Sequence, residues 1–156
     1  MVKQLTLCLV HQHPQILLGL KKRGFGEGRW NGFGGKLHEE ENLEDGARRE
    51  VKEEVGINVR EMEKKGIITF EFQDDQETLE VHIFHVLEFE GEPTESEEMK
   101  PQWFHVDKIP FEKMWSDDKH WMPLFLDGKK FKGRFLFGNE KTNDIIDSHL
   151  IEVDEI

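Results

Sequence analysis

The sequence predicts one domain of the α+β or layered α/β/α class, spanning residues 1–156. Three observations carry that expectation. Strand-like alternation recurs from the first residues to the last. One strong helical period lies between Asn42 and Gly56, and a second apolar cluster at Leu124, Phe125 and Leu126 marks another helix. No internal repeat or low-complexity linker divides the chain, whose length is enough for a real core.

Taken in order, Leu5, Leu7 and Leu9 alternate with Thr6, Cys8 and Val10. Both sets are weakly polar at most, which is the pattern of an interior strand. His13-Pro14 breaks it, and Ile16 to Leu20 reads as a second short strand. From Lys21 to Lys36 the glycines Gly24, Gly26, Gly28, Gly32, Gly34 and Gly35 are interleaved with Phe25, Trp30 and Phe33. So many glycines prevent a regular helix and let backbone approach a ligand closely. Asn42 then supplies an N-cap and Gly56 a helix stop. Between them Leu43, Ala47, Val51 and Val55 recur every four residues, so one face packs inward. Strands are expected over 66–73 (Ile67, Ile68, Phe70, Phe72), over 78–90 (Leu79, Val81, Ile83, Phe84, Val86), and near 103–106. Residues 110–126 read as irregular chain entering the second helix, with Leu124, Phe125 and Leu126 buried. Strands over 131–137 and 144–153 close the domain.

The composition narrows function. A formal charge of −12 argues against a nucleic-acid polymer as partner, because phosphate-backbone binders need a basic footprint. It leaves room for a small nucleotide, since a divalent metal can reverse the local field. The 12 Phe and 4 Trp supply bulky core and pocket material. Cys8 is the sole cysteine, so no internal disulfide can form. It is expected in the core and not as a nucleophile. No apolar stretch approaches a membrane span, and Met1 to Leu5 already has a strand pattern where a signal peptide would lie. The expectation is a cytoplasmic monomer with no membrane partner. His11, His13, His82, His85 and His120 fit no zinc spacing and are expected to be structural.

The strongest chemical signal is on the first helix. Glu50, Glu53 and Glu54 stand three and four residues apart, within roughly a 100° arc beside the apolar stripe. Three such glutamates more often form a solvated face. Convergent carboxylates are also what a hard cation such as Mg²⁺ needs, and such a metal bridges phosphate oxygens and helps form an attacking hydroxide. Arg49 can pair with Glu53 one turn on and orient it.

The segment from Gly35 to Ile57 resembles the Nudix box: G, five residues, E, seven residues, then R-E-U-x-E-E-x-G-U with U aliphatic. Gly35, Glu41, Arg49, Glu50, Val51, Glu53, Glu54, Gly56 and Ile57 all match, and fixed spacing over that many positions makes the resemblance specific. It implies an α/β/α sandwich around a mixed sheet. It also implies a loop–helix–loop that binds Mg²⁺, with Mn²⁺ as a substitute, and hydrolyses a nucleoside diphosphate linked to another group. Glu50, Glu53 and Glu54 become metal ligands, one of them a possible base, with Gly35 at the metal site and Arg49 among the catalytic set.

Outside the box, the chain resembles the family members that hydrolyse oxidised purine nucleoside triphosphates such as 8-oxo-dGTP and 2-oxo-dATP. The likeness runs through Lys21 to Gly26, Gly28 to Lys36, Glu95 to Met99, Trp103-Phe104, Ile109 to Phe111 and Met114 to Asp118. By position it implies a base pocket of Asn31, Phe70, Phe72, Trp115, Asp117, Asp118, Trp121 and Phe137. Lys21 becomes a phosphate or rim contact and Glu98 a further metal-site acid, while Thr6, Phe25, Gly34, Gly35 and Leu79 line the substrate site. Leu5 stands where Tyr is expected, Leu79 where Met is expected, and Glu40 where Gly is expected. The chemistry suits a purine. Trp115 can stack on its face, worth about 1–3 kcal/mol in base-binding sites, and Asn31 offers a donor and an acceptor. Burial and repulsion should raise the pKa of Asp117 or Asp118, so that one donates to a purine O6. Against this stand core packing for Trp115 and Trp121, and helix capping for the two aspartates. Other substrates within the same chemistry are a methylated purine nucleotide, a dinucleotide polyphosphate or ADP-ribose. A non-catalytic nucleotide-binding module is disfavoured by the intact glutamates.

Overall fold

A computed structural model describes residues 2–139 and 143–156. Its centre is β1 (Val2–Gln12), which reads as apolar on both faces because both faces are covered. Cys8 and Val10 join a core with Leu17, Phe33, Val51, Val55 and Phe84 on one side of the sheet. Leu9 joins Ile16, Leu18, Ile68, Trp121 and Phe125 on the other. Burying each such side chain contributes about 1.5–3 kcal/mol.

Around β1 the described strands form one mixed sheet. β2 (Gln15–Lys21) follows a tight turn containing a cis His13-Pro14 bond and pairs antiparallel with β1. The glycine-rich stretch, where no regular helix is expected, contains two short strands, β3 (Trp30–Asn31) and β4 (Phe33–Lys36). β4 lies antiparallel on β1, with Thr6 opposite Gly35 and Leu7 opposite Gly34. Helix α1 (Leu43–Val55) begins at Asn42, whose side chain accepts the Asp45 N–H, and stops at Gly56 with φ 75°. The inward face is Ala47, Val51 and Val55, with Leu43 partly buried at its edge.

β5 (Asn58–Phe72) and β6 (Asp75–Glu90) form a long antiparallel pair. β5 starts well before the expected residue 66. Its first half, Asn58 to Lys65, is charged on the outer face and broken by register shifts near Val59, Glu61 and Lys64. Those bulges erase the period of two that marks a strand in sequence. β6 also runs parallel to β1, with His82 opposite Thr6. β7 (Met99–His105) pairs with β2 and is longer than the expected strand near 103–106. Two 3₁₀ turns at 106–108 and 111–113 lead to α2 (Asp118–Leu126). Phe125 is buried as expected, whereas Leu124 and Leu126 are only half-buried. β8 (Lys130–Phe137) runs parallel to β5, and β9 (Ile145–Val153) closes the edge. α1 and α2 therefore cover opposite faces of a mixed sheet, the α+β sandwich that the sequence implies.

Candidate active site

The acids of α1 meet the glycines of β4. Glu54 is 3% exposed, and its Oε1 accepts the Gly34 N–H at 2.8 Å. Gly34 must be glycine here, because a Cβ would lie 1.8 Å from the Thr6 carbonyl oxygen on β1. At Gly35 a Cβ would sit 2.8 Å from the carboxyl carbon of Glu50. Glu54 and Glu50 thus flank two consecutive backbone units. Burial pushes the Glu54 carboxyl up to about 8; the Gly34 N–H opposes the shift, and the nearby Glu50 charge adds to it.

Arg49 organises the remaining charges. Its guanidinium binds Glu41 at 2.8 and 3.0 Å, Glu50 at 2.9 Å, Glu53 at 3.3 Å and the Lys36 carbonyl at 3.2 Å. Glu41 also accepts the His38 N–H, and the Arg49 bonds hold its carboxyl down to about 2. The expected Arg49–Glu53 pair is one part of a clamp that ties the preceding loop to α1. Arg49 thus holds Glu41, Glu50 and Glu53 together beside β4.

Glu50, Glu53, Glu54 and Glu98 offer carboxylate oxygens, the donor set a hard divalent cation takes. Burial is the main cause of the raised Glu54 pKa, with the Glu50 and Glu98 charges adding to it, and a bound cation would favour the ionised carboxylate. Among the described residues no three acids or histidines already converge into a coordination cluster. Glu53 turns to Arg49, and Glu98 lies 3.7 Å from the Lys21 ammonium. Full coordination would therefore draw both acids away from their cations.

From Glu54 a cavity of about 350 Å³ extends between β1, β4, β5, β8 and the start of α2. It brings together Thr6, Lys21, Phe25, Asn31, Gly34, Gly35, Phe70, Phe72, Leu79, Trp115, Asp117, Asp118 and Phe137 from the expected set. Asn31 Oδ1 accepts the Gly32 N–H at 2.9 Å, which leaves its NH₂ as the end available to a ligand. The aromatics form one wall. Phe72 stacks on Phe137 with centroids 5.8 Å apart, and Trp115 meets Phe137 edge-on at 6.2 Å. Phe25, on the loop after β2, stacks on Trp115 at 5.1 Å.

Asp117 and Asp118 are each 3% exposed. Asp117 stands at the N-cap position just before α2, but its side chain makes no capping hydrogen bond. Its Oδ2 instead accepts from Trp121 Nε1 at 2.8 Å, so helix capping does not explain it. Asp118 Oδ2 and Thr6 Oγ1 are buried with no hydrogen-bond partner. Burial raises the Asp117 pKa. Burial and the adjoining Asp117 charge raise Asp118 well above the ordinary range. Burial and mutual repulsion therefore favour a proton held by the pair.

Trp121 is the expected pocket residue that the cavity does not contain. It is 1% exposed, stacked on Phe131 at 5.7 Å, and acts on the pocket through Asp117. Sequence reasoning did not single out Leu7, Gly26, Arg29, Gly32, Lys36, Val81 or Met99, which all line the cavity. The signal for Arg29 was its place between Gly28 and Trp30, a cationic residue at the end of a loop built for close approach. Cys8 is fully buried in the core, where burial pushes its thiol up, and it takes no part in the cavity.

Residues 3–125 match the family model described as NUDIX domain. The chain is 54% identical over 149 residues to the oxidized purine nucleoside triphosphate hydrolase of Mus musculus, covering 96% of this chain and 94% of that one. It is 52% identical over 155 residues to the Danio rerio protein of the same name, covering 99% and 97%. In structure it is similar to a MutT protein from Bacillus halodurans, with a TM-score of 0.84 and 29% identity, covering 95% of this chain and 97% of that one. No helix among the described residues is long and apolar enough to cross a membrane.

Proposed function

The chain belongs to the Nudix family, and from that premise we propose that it is a pyrophosphohydrolase of oxidised purine nucleoside triphosphates, with 8-oxo-dGTP and 2-oxo-dATP as substrates. The products are the monophosphate and pyrophosphate, so the activity clears damaged nucleotides from the pool. Mg²⁺ is the metal, replaceable by Mn²⁺, and the enzyme works as a cytoplasmic monomer. The observation that carries this reading is the buried Asp117–Asp118 pair, holding a proton at the wall of an aromatic cavity that Glu54 also lines.

A guanine-type edge presents O6 as acceptor and N1–H and N2–H as donors. Protonated Asp118 donates to an acceptor on that edge, while Asp117, held by Trp121, accepts from a donor. The NH₂ of Asn31 adds a donor, and Trp115 and the phenyl rings enclose the flat faces. When bound, Mg²⁺ polarises the phosphates and lowers the pKa of water. Glu50, Glu53, Glu54 and Glu98 would hold it, and Lys21 contacts a phosphate. Glu54 or Glu53 takes the proton of the attacking water as its oxygen bonds to phosphorus. The phosphorus–oxygen bond to pyrophosphate breaks, and the leaving group carries away the electron pair. The Gly34 N–H fixes the Glu54 carboxyl during that transfer.

The test is kcat/KM over a panel of 8-oxo-dGTP, 2-oxo-dATP, dGTP, a methylated purine nucleotide, a dinucleotide polyphosphate and ADP-ribose. The oxidised purine triphosphates should lead. A lead by ADP-ribose or the dinucleotide would move the substrate class.

A further inference from the structure

Arg29 lines the cavity with a guanidinium that no carboxylate among the described residues neutralises. Its Nη1 is buried and has no hydrogen-bond partner, and among the described residues no carboxylate pairs with it. Its side chain rests on Trp115, with the guanidinium carbon 3.9 Å from the ring centroid. That contact is a cation–π attraction, weaker than a paired charge. Lys21, by contrast, already lies 3.7 Å from Glu98.

The backbone of Arg29 is tied into the loop, while its guanidinium is held by no hydrogen bond or ion pair among the described residues. The Arg29 carbonyl accepts the Lys21 N–H at 3.0 Å, and its own N–H donates to Gly26 at 3.0 Å. These bonds set Arg29 at the base of the loop after β2, on the same rung as Lys21. From there the long side chain can lie on Trp115 or swing towards the region served by Lys21. A buried guanidinium donor without an acceptor is costly, and a phosphate oxygen is the acceptor its planar fork fits best.

Resting on the functional reading above, we propose that Arg29 is a substrate-binding residue that gives up its place on Trp115 to the purine and takes a phosphate oxygen of the same nucleotide. The base and the guanidinium compete for the indole. A nucleoside must displace Arg29 without offering it a new partner. A triphosphate displaces it and pairs with it, so Arg29 selects for phosphorylated ligands at the base end of the site.

The experiment compares wild type, Arg29→Met and Arg29→Lys. KM and kcat are measured for 8-oxo-dGTP, and the binding of 8-oxo-deoxyguanosine is measured by calorimetry. In Arg29→Met the KM should rise about 10-fold or more, the scale of a lost hydrogen bond to a charged group, while kcat stays within about 3-fold. The nucleoside should bind as well as to wild type or better. Arg29→Lys keeps the charge without the planar fork and should give an intermediate KM, and it carries the comparison if the Met variant folds poorly. Equal weakening of nucleoside and triphosphate would reduce Arg29 to a prop for Trp115 and overturn the proposal, as would an unchanged KM. Failure of the wild type to turn over 8-oxo-dGTP would sink the functional reading and this inference together, which separates that failure from the other two.

Discussion

Trp121 Nε1 donates to Asp117 Oδ2 at 2.8 Å, from a position wholly inside the core. A residue outside the cavity thus helps fix the charge of one inside it, because the indole N–H stabilises ionised Asp117. Trp121→Phe removes that donor while keeping an aromatic ring. It should lower kcat/KM for 8-oxo-dGTP by about 5- to 150-fold, the cost of one unpaired buried polar contact. Thermal unfolding should show a loss of about 1–3 kcal/mol. Unchanged kcat/KM with lowered stability would leave Trp121 as packing alone.

Asp117→Asn and Asp118→Asn should damage guanine-type and adenine-type substrates unequally. A carboxyl pair can pass its proton between members, whereas an amide has a fixed donor end and a fixed acceptor end. Measuring kcat/KM for 8-oxo-dGTP, 2-oxo-dATP and dGTP across pH 5.5–9 checks this. Equal and pH-independent losses would return the choice of base to Asn31 and Trp115.

The same pair predicts a stability profile. The folded-state pKa of Asp118 is raised well above its ordinary value. The folded protein therefore holds a proton that the unfolded chain releases, and this group's stabilising share falls as pH rises from the ordinary aspartate range towards the raised value. Asp118→Asn lacks that proton. Its stability relative to wild type should improve as pH rises through that window, read from urea unfolding at each pH. A constant difference between the two proteins would contradict a raised pKa.

Much of this was legible in sequence, and the gaps have physical causes. Asn42 and Gly56 bound α1 because capping chemistry is local. Helical spacing alone left Glu50, Glu53 and Glu54 as a solvated face, and the resemblance over residues 35–57 singled them out, while the apolar character of β1 on both faces announced its central place. The first half of β5 was hidden because bulges break its period. Trp121 and Arg29 were misjudged or missed because their roles depend on which side chain they meet across the fold. One lies behind Asp117 and the other on Trp115. Spacing along the chain carries no record of either contact.

Gly34 and Gly35 should respond differently to alanine. At Gly34 the new Cβ would meet the Thr6 carbonyl at 1.8 Å, and both partners are backbone in paired strands. Gly34→Ala should destabilise by about 3 kcal/mol or more, the upper range for overpacking. At Gly35 the obstacle is the Glu50 carboxylate, a flexible group. Gly35→Ala should keep most stability and lose activity by displacing an acid. Comparing melting temperature with kcat for both variants settles the point.

Glu54→Gln and Glu53→Gln should each lower kcat by at least about 100-fold, the scale for losing a metal ligand or a base. The fold should survive both changes. Glu54→Gln should leave metal-free stability level or higher, since it removes the cost of keeping a titrating carboxyl buried beside Glu50, and its amide oxygen can still accept the Gly34 N–H. Near-normal turnover in both variants would return these acids to a solvated face.

The most direct test follows the products of 8-oxo-dGTP hydrolysis, with dGTP alongside and each run repeated with EDTA. The account predicts one pyrophosphate for every 8-oxo-dGMP, a higher kcat/KM for 8-oxo-dGTP than for dGTP, and no turnover once the divalent metal is removed. Release of inorganic phosphate alone, or turnover that survives EDTA, would contradict it.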